Sequence, residues 1–296
     1  MSREADALFH FLQESMAAFM QSPVNDMELP ALEPFFGVPL LGVAAGDDPF
    51  WLRCQEEYIG VFHWTPVQAF QHAFPDARGT AAGELSVFVW ILPQTAATKR
   101  DNRRERTYPA ERWARSRALG EPKVNEGLRA FLVAELKKKG VQAAAPQSLP
   151  QWNQHMSERY GFASTWSERH AAYAAGLGTF GLCDGLITSV GKAVRVGSLV
   201  IRHALPVSER PYTHHREYCL YFQDGSCAAC AKRCPAGSVR VEGRDKTQCR
   251  RHLHAYCAPY MEQRWNIKGY GCGLCQTGVP CESGIPRRKK INLSIP

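Results

Sequence analysis

The sequence predicts an α+β main domain, residues 1–212, followed by a small cysteine-rich module, residues 213–296. Three observations carry this reading. Nine of the eleven cysteines fall between Cys219 and Cys281, and only Cys54 and Cys183 precede them. Residues 85–92 (LSVFVWIL) form an unbroken β-branched and aromatic run between Gly83 and Pro93, the pattern of a buried strand. Segments of helical periodicity surround that run, and 296 residues suffice for a main domain plus an appended one.

The chain opens on a helical pattern (Leu8, Phe9, Leu12, Met16, Phe19) that stops near Ser22 and Pro23. Pro30, Pro34 and Pro39 then punctuate an irregular approach to PLLGVAAGDDPFW, in which Asp47-Asp48-Pro49 reads as a turn or helix start. Residues 99–106 (KRDNRRER) pack five cations into eight positions. They read either as a solvated loop or as a contact surface for an anionic substrate or partner. Residues 125–139 form a surface helix with lysines at its end and Gly140 as its stop. The Ala- and Pro-rich stretch 143–150 reads as a connector. Residues 167–175 read as a helix, capped by Ser164, Thr165 or Ser167, that runs into Gly176. Residues 185–190 and 194–201 look like two strands joined at Gly191-Lys192 as a hairpin.

With 45% hydrophobic and 22% charged residues the composition is that of an ordinary globular protein. The longest apolar run, Val87 to Leu92, is far short of the roughly 20 residues that cross a bilayer. The N-terminus lacks the basic and apolar regions of a secretory signal. We therefore expect a soluble, cytoplasmic protein with no membrane partner. In that reducing compartment cysteines serve as metal ligands or catalytic groups rather than disulfides. The formal charge of +8 suggests an acidic partner such as RNA, but thiolate-bound clusters would cancel part of it. Trp64, Trp90, Trp113, Trp152 and Trp166 are too scattered to form a base-stacking surface and fit core and pocket walls.

Gly176, Gly178 and Gly181 match G-x-G-x-x-G, yet a helix precedes them and a strand follows, the reverse of a dinucleotide site. These glycines let backbone pass close to a packed element or a large flat cofactor. In the C-terminal module, Cys227, Cys230 and Cys234 form C-x2-C-x3-C-P, the spacing of bacterial ferredoxins. A second half follows at Cys272, Cys275 and Cys281, with Cys249 between the two. The competing metal is zinc, on the two C-x2-C pairs with His252 and His254. Zinc leaves Cys219, Cys234, Cys249, Cys257 and Cys281 without a role and does not explain Cys234-Pro235. Cys54 and Cys183, lacking spaced partners, read as buried apolar thiols.

These halves, with Glu168-Arg-His-Ala-Ala-Tyr-Ala-Ala-Gly-Leu-Gly-Thr-Phe-Gly181 and the strand Arg195-Val-Gly-Ser198, resemble the epoxyqueuosine reductase family and the related reductive dehalogenases. The resemblance runs from about Glu168 to Pro286. It implies a nitroreductase-like cobalamin-binding domain and a ferredoxin-like domain with two four-iron four-sulfur clusters. By position it implies Cys227, Cys230 and Cys281 as ligands of the cobalamin-proximal cluster and Cys234, Cys249, Cys272 and Cys275 as those of the other. Asp224 stands where the family has the remaining proximal ligand; Cys219 is our substitute, with Asp224 ligation or a three-iron cluster as alternatives. Cys257 has no place in that count.

The resemblance further implies a cobalamin cavity bounded by Gly176, Gly178, Thr179, Phe180 and Gly181, with Arg195 and Ser198 at its polar edge. Phe162 stands where epoxyqueuosine reductases have their proton-donating aspartate, which puts epoxide chemistry in question. Tyr160, Glu168, His170 and Tyr173 are the remaining candidate acids. The expected activity is reduction of a small organic substrate, with a ferredoxin or flavodoxin as electron donor and tRNA as a subordinate substrate. The alternatives are a non-catalytic corrinoid-reducing or corrinoid-handling protein, and a flavin enzyme on the same scaffold.

Overall fold

The computed structural model describes residues 3–30, 32–158 and 161–287. In chain order the main domain comprises α1 (Arg3–Gln21), β1 (Leu40–Ala45), α2 (Phe50–Arg53), α3 (Pro66–Ala73), β2 (Ser86–Pro93), α4 (Ala96–Arg104), α5 (Glu111–Arg115) and α6 (Gly127–Lys138). It continues through β3 (Ala143–Ala144), β4 (Gln154–Ser157), β5 (Gly161–Ser164), α7 (Glu168–Ala174), β6 (Gly178–Phe180), β7 (Leu186–Thr188) and β8 (Val194–Ile201). The cysteine-rich part adds α8 (Leu220–Asp224), α9 (Ala229–Lys232), β9 (Val239–Arg240), β10 (Gly243–Arg244), α10 (Lys246–His252) and α11 (Ala258–Trp265).

Strand β2 is buried almost throughout because it lies inside a four-stranded antiparallel sheet of order β1-β2-β8-β3. Its alternate side chains feed two cores. Val87, Val89 and Ile91 face a cluster that includes Trp51, Phe70, Trp166 and Ala171, under α2, α3 and α7. Phe88, Trp90 and Leu92 face Leu12, Met16, Leu128 and Leu132, under α1 and α6. The period-2 alternation of the strand thus meets the helical stripes of both layers, and each such side chain contributes about 2 kcal/mol by leaving water. Trp90 keeps its one polar group satisfied by donating Nε1–H to Asn125 Oδ1 at 2.8 Å.

The first helix, the buried strand and the helices at 127–138 and 168–174 fall where the sequence predicts them. The expected hairpin between 185–190 and 194–201 is not formed. Both edges of β8 are taken, by β2 and β3, so β7 pairs instead with β6, Gly178 opposite Thr188. The turn at Gly191-Lys192 is diverted to the cysteine-rich part, where Lys192 N–H donates to Cys281 O at 2.8 Å. The connector 143–150 also carries an edge strand, and β1 is an element the sequence reading missed.

The cationic tract is a helix rather than a loop, and Arg100, Arg103, Arg104 and Arg106 are exposed on it. Residues 96–104 are helical, capped by the Thr95 side chain. Asn102 is fully buried, giving Nδ2–H to Thr277 Oγ1 at 3.0 Å and to Cys272 O at 3.3 Å while its Oδ1 accepts from Ala110 N. Arg103 pairs with Glu282, and Arg112 bridges Glu33 and Asp101. This tract clamps the cysteine-bearing loops to the main domain.

Candidate metal centre

Short helices and tight turns aim the sulfurs. Helix α8 ends at Gly225 in the left-handed conformation (φ 71°), and Asp224 Oδ1 accepts from Ser226 N at 2.9 Å in the exposed turn that follows. Cys219, just before α8, is instead buried and lines one cavity with Cys227, Cys230 and Cys281. Leu182, Ile187 and Lys192 of the main domain close the same cavity, which holds about 20 Å³.

Cys234 and Cys275 pack against the same cluster, while Cys249 and Cys272 have neighbours of their own. Arg244 donates Nη2–H to Cys249 Sγ at 2.9 Å and Nη1–H to Cys183 O at 3.2 Å, and Cys234 Sγ lies 3.1 Å from Ser238 Oγ. Cys272 Sγ, Cys257 Sγ and a His252 ring nitrogen all lie within 4.8 Å of one another. Cys257 is fully buried, and His252 Nε2 is a buried atom without a hydrogen-bond partner. The count of eight left Cys257 out; the fold sets it against one of the eight.

Cys183 is not the apolar thiol that its isolation in sequence suggested. Its Sγ lies 3.3 Å from Lys192 Nζ and 3.9 Å from Cys275 O, and it contacts the sulfurs of both Cys230 and Cys275. Hydrogen bonds from Cys230 and Cys275, with the Lys192 and Arg244 charges, pull its ionisation well below the ordinary thiol range despite burial. The same contact with Cys183, added to burial, pushes Cys230 and Cys275 up. Lys192 is 2% exposed. Burial would discharge it, but the sulfurs of Cys183, Cys281, Cys230 and Cys275 hold its ammonium well above the usual lysine range.

On the main-domain side the candidate acids separate. Tyr160 lies outside the described residues. Glu168 accepts from Ser198 Oγ at 2.5 Å and pairs with the fully buried Arg129 at 3.1 Å. Burial pushes it up to about 7, against the pull of Arg129 and Ser198. His170 Nδ1 lies 2.7 Å from Ser167 Oγ, its ring is 4.8 Å from Phe180, and burial pushes it well down. Tyr173 is packed between Phe50 and Tyr212 and is pushed up by burial. Arg169 keeps an exposed side chain, and Arg195, lowered by burial to about 9, neighbours it.

The glycine loop has a different neighbour from a cofactor. A Cβ on Gly176 would stand 2.1 Å from Glu209 O, and one on Gly178 would stand 2.3 Å from Ile187 O. Of the two alternatives, the packed element is the one the structure shows at those positions. Thr179 Oγ1 accepts from Tyr218 N, and Ser198 is committed to Glu168 and Trp166, so both are buried inside the domain. Phe180 and Arg195 remain partly accessible. Lys192, Cys183 and Arg244 were missed because each stands alone in sequence; only the turn that carries Lys192 to Cys281 reveals them.

Fold and centre together define the class: an antiparallel sheet between two helical layers, with a cysteine-rich part packed against it. No protein-family model matches the chain, and no curated protein matches it. Among solved structures the fold is similar to that of epoxyqueuosine reductase in complex with a modified tRNA stem loop, at 16% identity and TM-score 0.51, over 96% of this chain and 68% of that one. Epoxyqueuosine reductase from Bacillus subtilis aligns at 16% identity and TM-score 0.48, over 96% of this chain and 68% of that one. A catabolic reductive dehalogenase in complex with 3-bromo-4-hydroxybenzoic acid aligns at 11% identity and TM-score 0.49, over 93% of this chain but 37% of that one. The likeness to the first establishes the fold. Among the described residues no helix is long and apolar enough to cross a membrane.

Proposed function

We propose that the chain is an iron-sulfur oxidoreductase in which two four-iron clusters feed a corrinoid held by the main domain. The carrying observation is the cavity lined by Cys219, Cys227, Cys230 and Cys281, four thiols from three separate segments meeting beside a buried lysine. Soft sulfur donors converging on one point suit iron in a cluster. Cys234, Cys249, Cys272 and Cys275 are the proposed ligands of the second cluster, with Arg244 on Cys249 and with Cys257 and His252 beside Cys272. In this reading Cys219 completes the proximal set, and residues 213–296 form the ferredoxin-like unit on a nitroreductase-like domain, residues 1–212.

For cobalamin the fit rests on the partly accessible side chains of α7, β6 and β8. Phe180 and His170 offer ring faces and Arg169 and Arg195 offer cations, while Gly176, Gly178, Thr179 and Ser198 support the wall from within. When bound, reduced cobalt supplies the electrons that cleave a carbon-oxygen or carbon-halogen bond. The chain's own part is to orient a small organic substrate in the cleft and to hold a proton, for which Glu168, up at about 7, is the best-placed carboxyl near neutral pH. A ferredoxin or flavodoxin would supply electrons; tRNA remains a subordinate substrate. One observation favours the second reading, a corrinoid-reducing protein without its own substrate: Phe162, at the position of the family's acid, lies under the Arg250 guanidinium at 4.8 Å, so no carboxyl occupies that place.

Anaerobic purification, with iron, acid-labile sulfide and corrinoid measured on one sample, tests the proposal. About eight iron atoms per chain and a corrinoid-dependent spectrum are expected. Zinc without sulfide overturns the cluster reading, and flavin binding without corrinoid overturns the cofactor.

A further inference from the structure

We infer that Lys192 is the shared counter-cation of both cluster sites, a residue of the main domain set between the two sulfur groups so that its charge raises the reduction potential of each. The inference rests on the two-cluster reading above. Lys192 comes from the turn after β7, and its backbone N–H donates to Cys281 O at 2.8 Å, which anchors its Cα beside a proximal sulfur. Its side chain runs inward over Gly185, where a Cβ would stand 2.9 Å from Lys192 Cδ and 3.3 Å from Cys183 Sγ. Its Nζ donates to Cys183 Sγ at 3.3 Å. Cys183 in turn contacts Cys230, which lines the proximal cavity, and Cys275 of the second group. The ammonium is therefore within one sulfur of both.

The charge balance makes the placement meaningful. An ammonium that is 2% exposed is tolerated only when paired. Among the described residues no carboxylate forms an ion pair with Lys192; its Nζ faces Cys183 Sγ at 3.3 Å, and its side chain lines the cavity of Cys219, Cys227, Cys230 and Cys281. On reduction each cluster takes one electron from the donor and gains one negative charge. A fixed cation nearby stabilises that reduced form more than the oxidised one, at low local dielectric and with no water to screen it. Placed between the sites, one lysine acts on both potentials at once.

The test is an anaerobic redox titration of the full, cluster-loaded chain with dithionite, followed by electron paramagnetic resonance, for wild type, Lys192→Met and Lys192→Arg. With iron retained, Lys192→Met should make both clusters harder to reduce by at least tenfold in the one-electron equilibrium, equivalent to about 59 mV, while Lys192→Arg stays near wild type. Loss of iron in Lys192→Met but not in Lys192→Arg also supports the inference, since charge then decides assembly. Unchanged potentials in an iron-replete Lys192→Met, a shift confined to one cluster, or equal iron loss in both variants would overturn it. A wild type that holds neither iron nor sulfide instead fails the cluster reading, and this inference falls with it.

Discussion

Gly273 sits between Cys272 and Cys275 with φ 68°, and an added Cβ would stand 1.9 Å from Trp113 Cε2 and 2.1 Å from its Cζ2. Trp113 is 1% exposed and belongs to α5 of the main domain, so it cannot swing into solvent without leaving the core. Gly273→Ala should therefore incur two costs. The left-handed conformation costs an L-residue about 1–2 kcal/mol, and forcing a methyl group into a packed indole costs about 1–3 kcal/mol more. A loss of about 3 kcal/mol is expected in urea unfolding of the loaded protein, together with faster bleaching of the cluster absorbance, because the loop that moves carries two of the proposed ligands. Gly273→Ala combined with Trp113→Leu should recover part of the loss by making room. An iron-replete Gly273→Ala with wild-type midpoint and bleaching rate would refute the claim that this contact holds the loop.

Cys219→Ser should lose iron, whereas Cys257→Ser, placed beside Cys272 but outside the proposed set, should keep about eight atoms per chain; the reverse result would exchange the two roles. Asn102→Ala leaves Ala110 N, Thr277 Oγ1 and Cys272 O short of a buried partner and should cost about 2–4 kcal/mol, read by thermal unfolding. Glu168, raised on folding from 4.5 to about 7, stabilises the folded state fully below its unfolded value and loses that contribution as pH rises through about 7. At ~1.4 kcal/mol per pH unit, wild type should lose about 3 kcal/mol relative to Glu168→Gln between pH 4.5 and 7; parallel stability curves for the two proteins would contradict the assignment.

Much of this was legible in the sequence because the relevant signals are local. The run at 85–92 can only be a buried strand, and C-x2-C-x3-C-P fixes where three sulfurs sit relative to one another whatever surrounds them. Strand β1 was hidden because Leu40–Ala45 is two leucines, a valine and small residues, without β-branched or aromatic emphasis. The hairpin was misread because its turn residues were right but strand pairing is decided by long-range partners: β2 lies about a hundred positions before β8 and takes the edge that β7 would need. The glycine loop was ambiguous in principle, since close approach to backbone and to a macrocycle leave the same mark. The cations around the sulfurs were invisible for a similar reason. Lys192 and Arg244 are far apart in sequence and meet only through Cys183.

The clamp of α4 and α5 on the cysteine loops has a consequence for how the protein matures. Asn102, Arg103 and Trp113 close over Cys272, Gly273 and Glu282 from the main-domain side. On the proposed cluster reading, iron and sulfide would enter before that closure or through a loosened form of it. The C-terminal part, expressed alone, would leave Lys192 behind and expose the backs of its own loops, so it should not behave as a free-standing ferredoxin. On the same reading, a chain synthesised under iron scarcity would be left with a closed shell around bare thiols. Metal supply would then set the amount of folded protein as well as its colour.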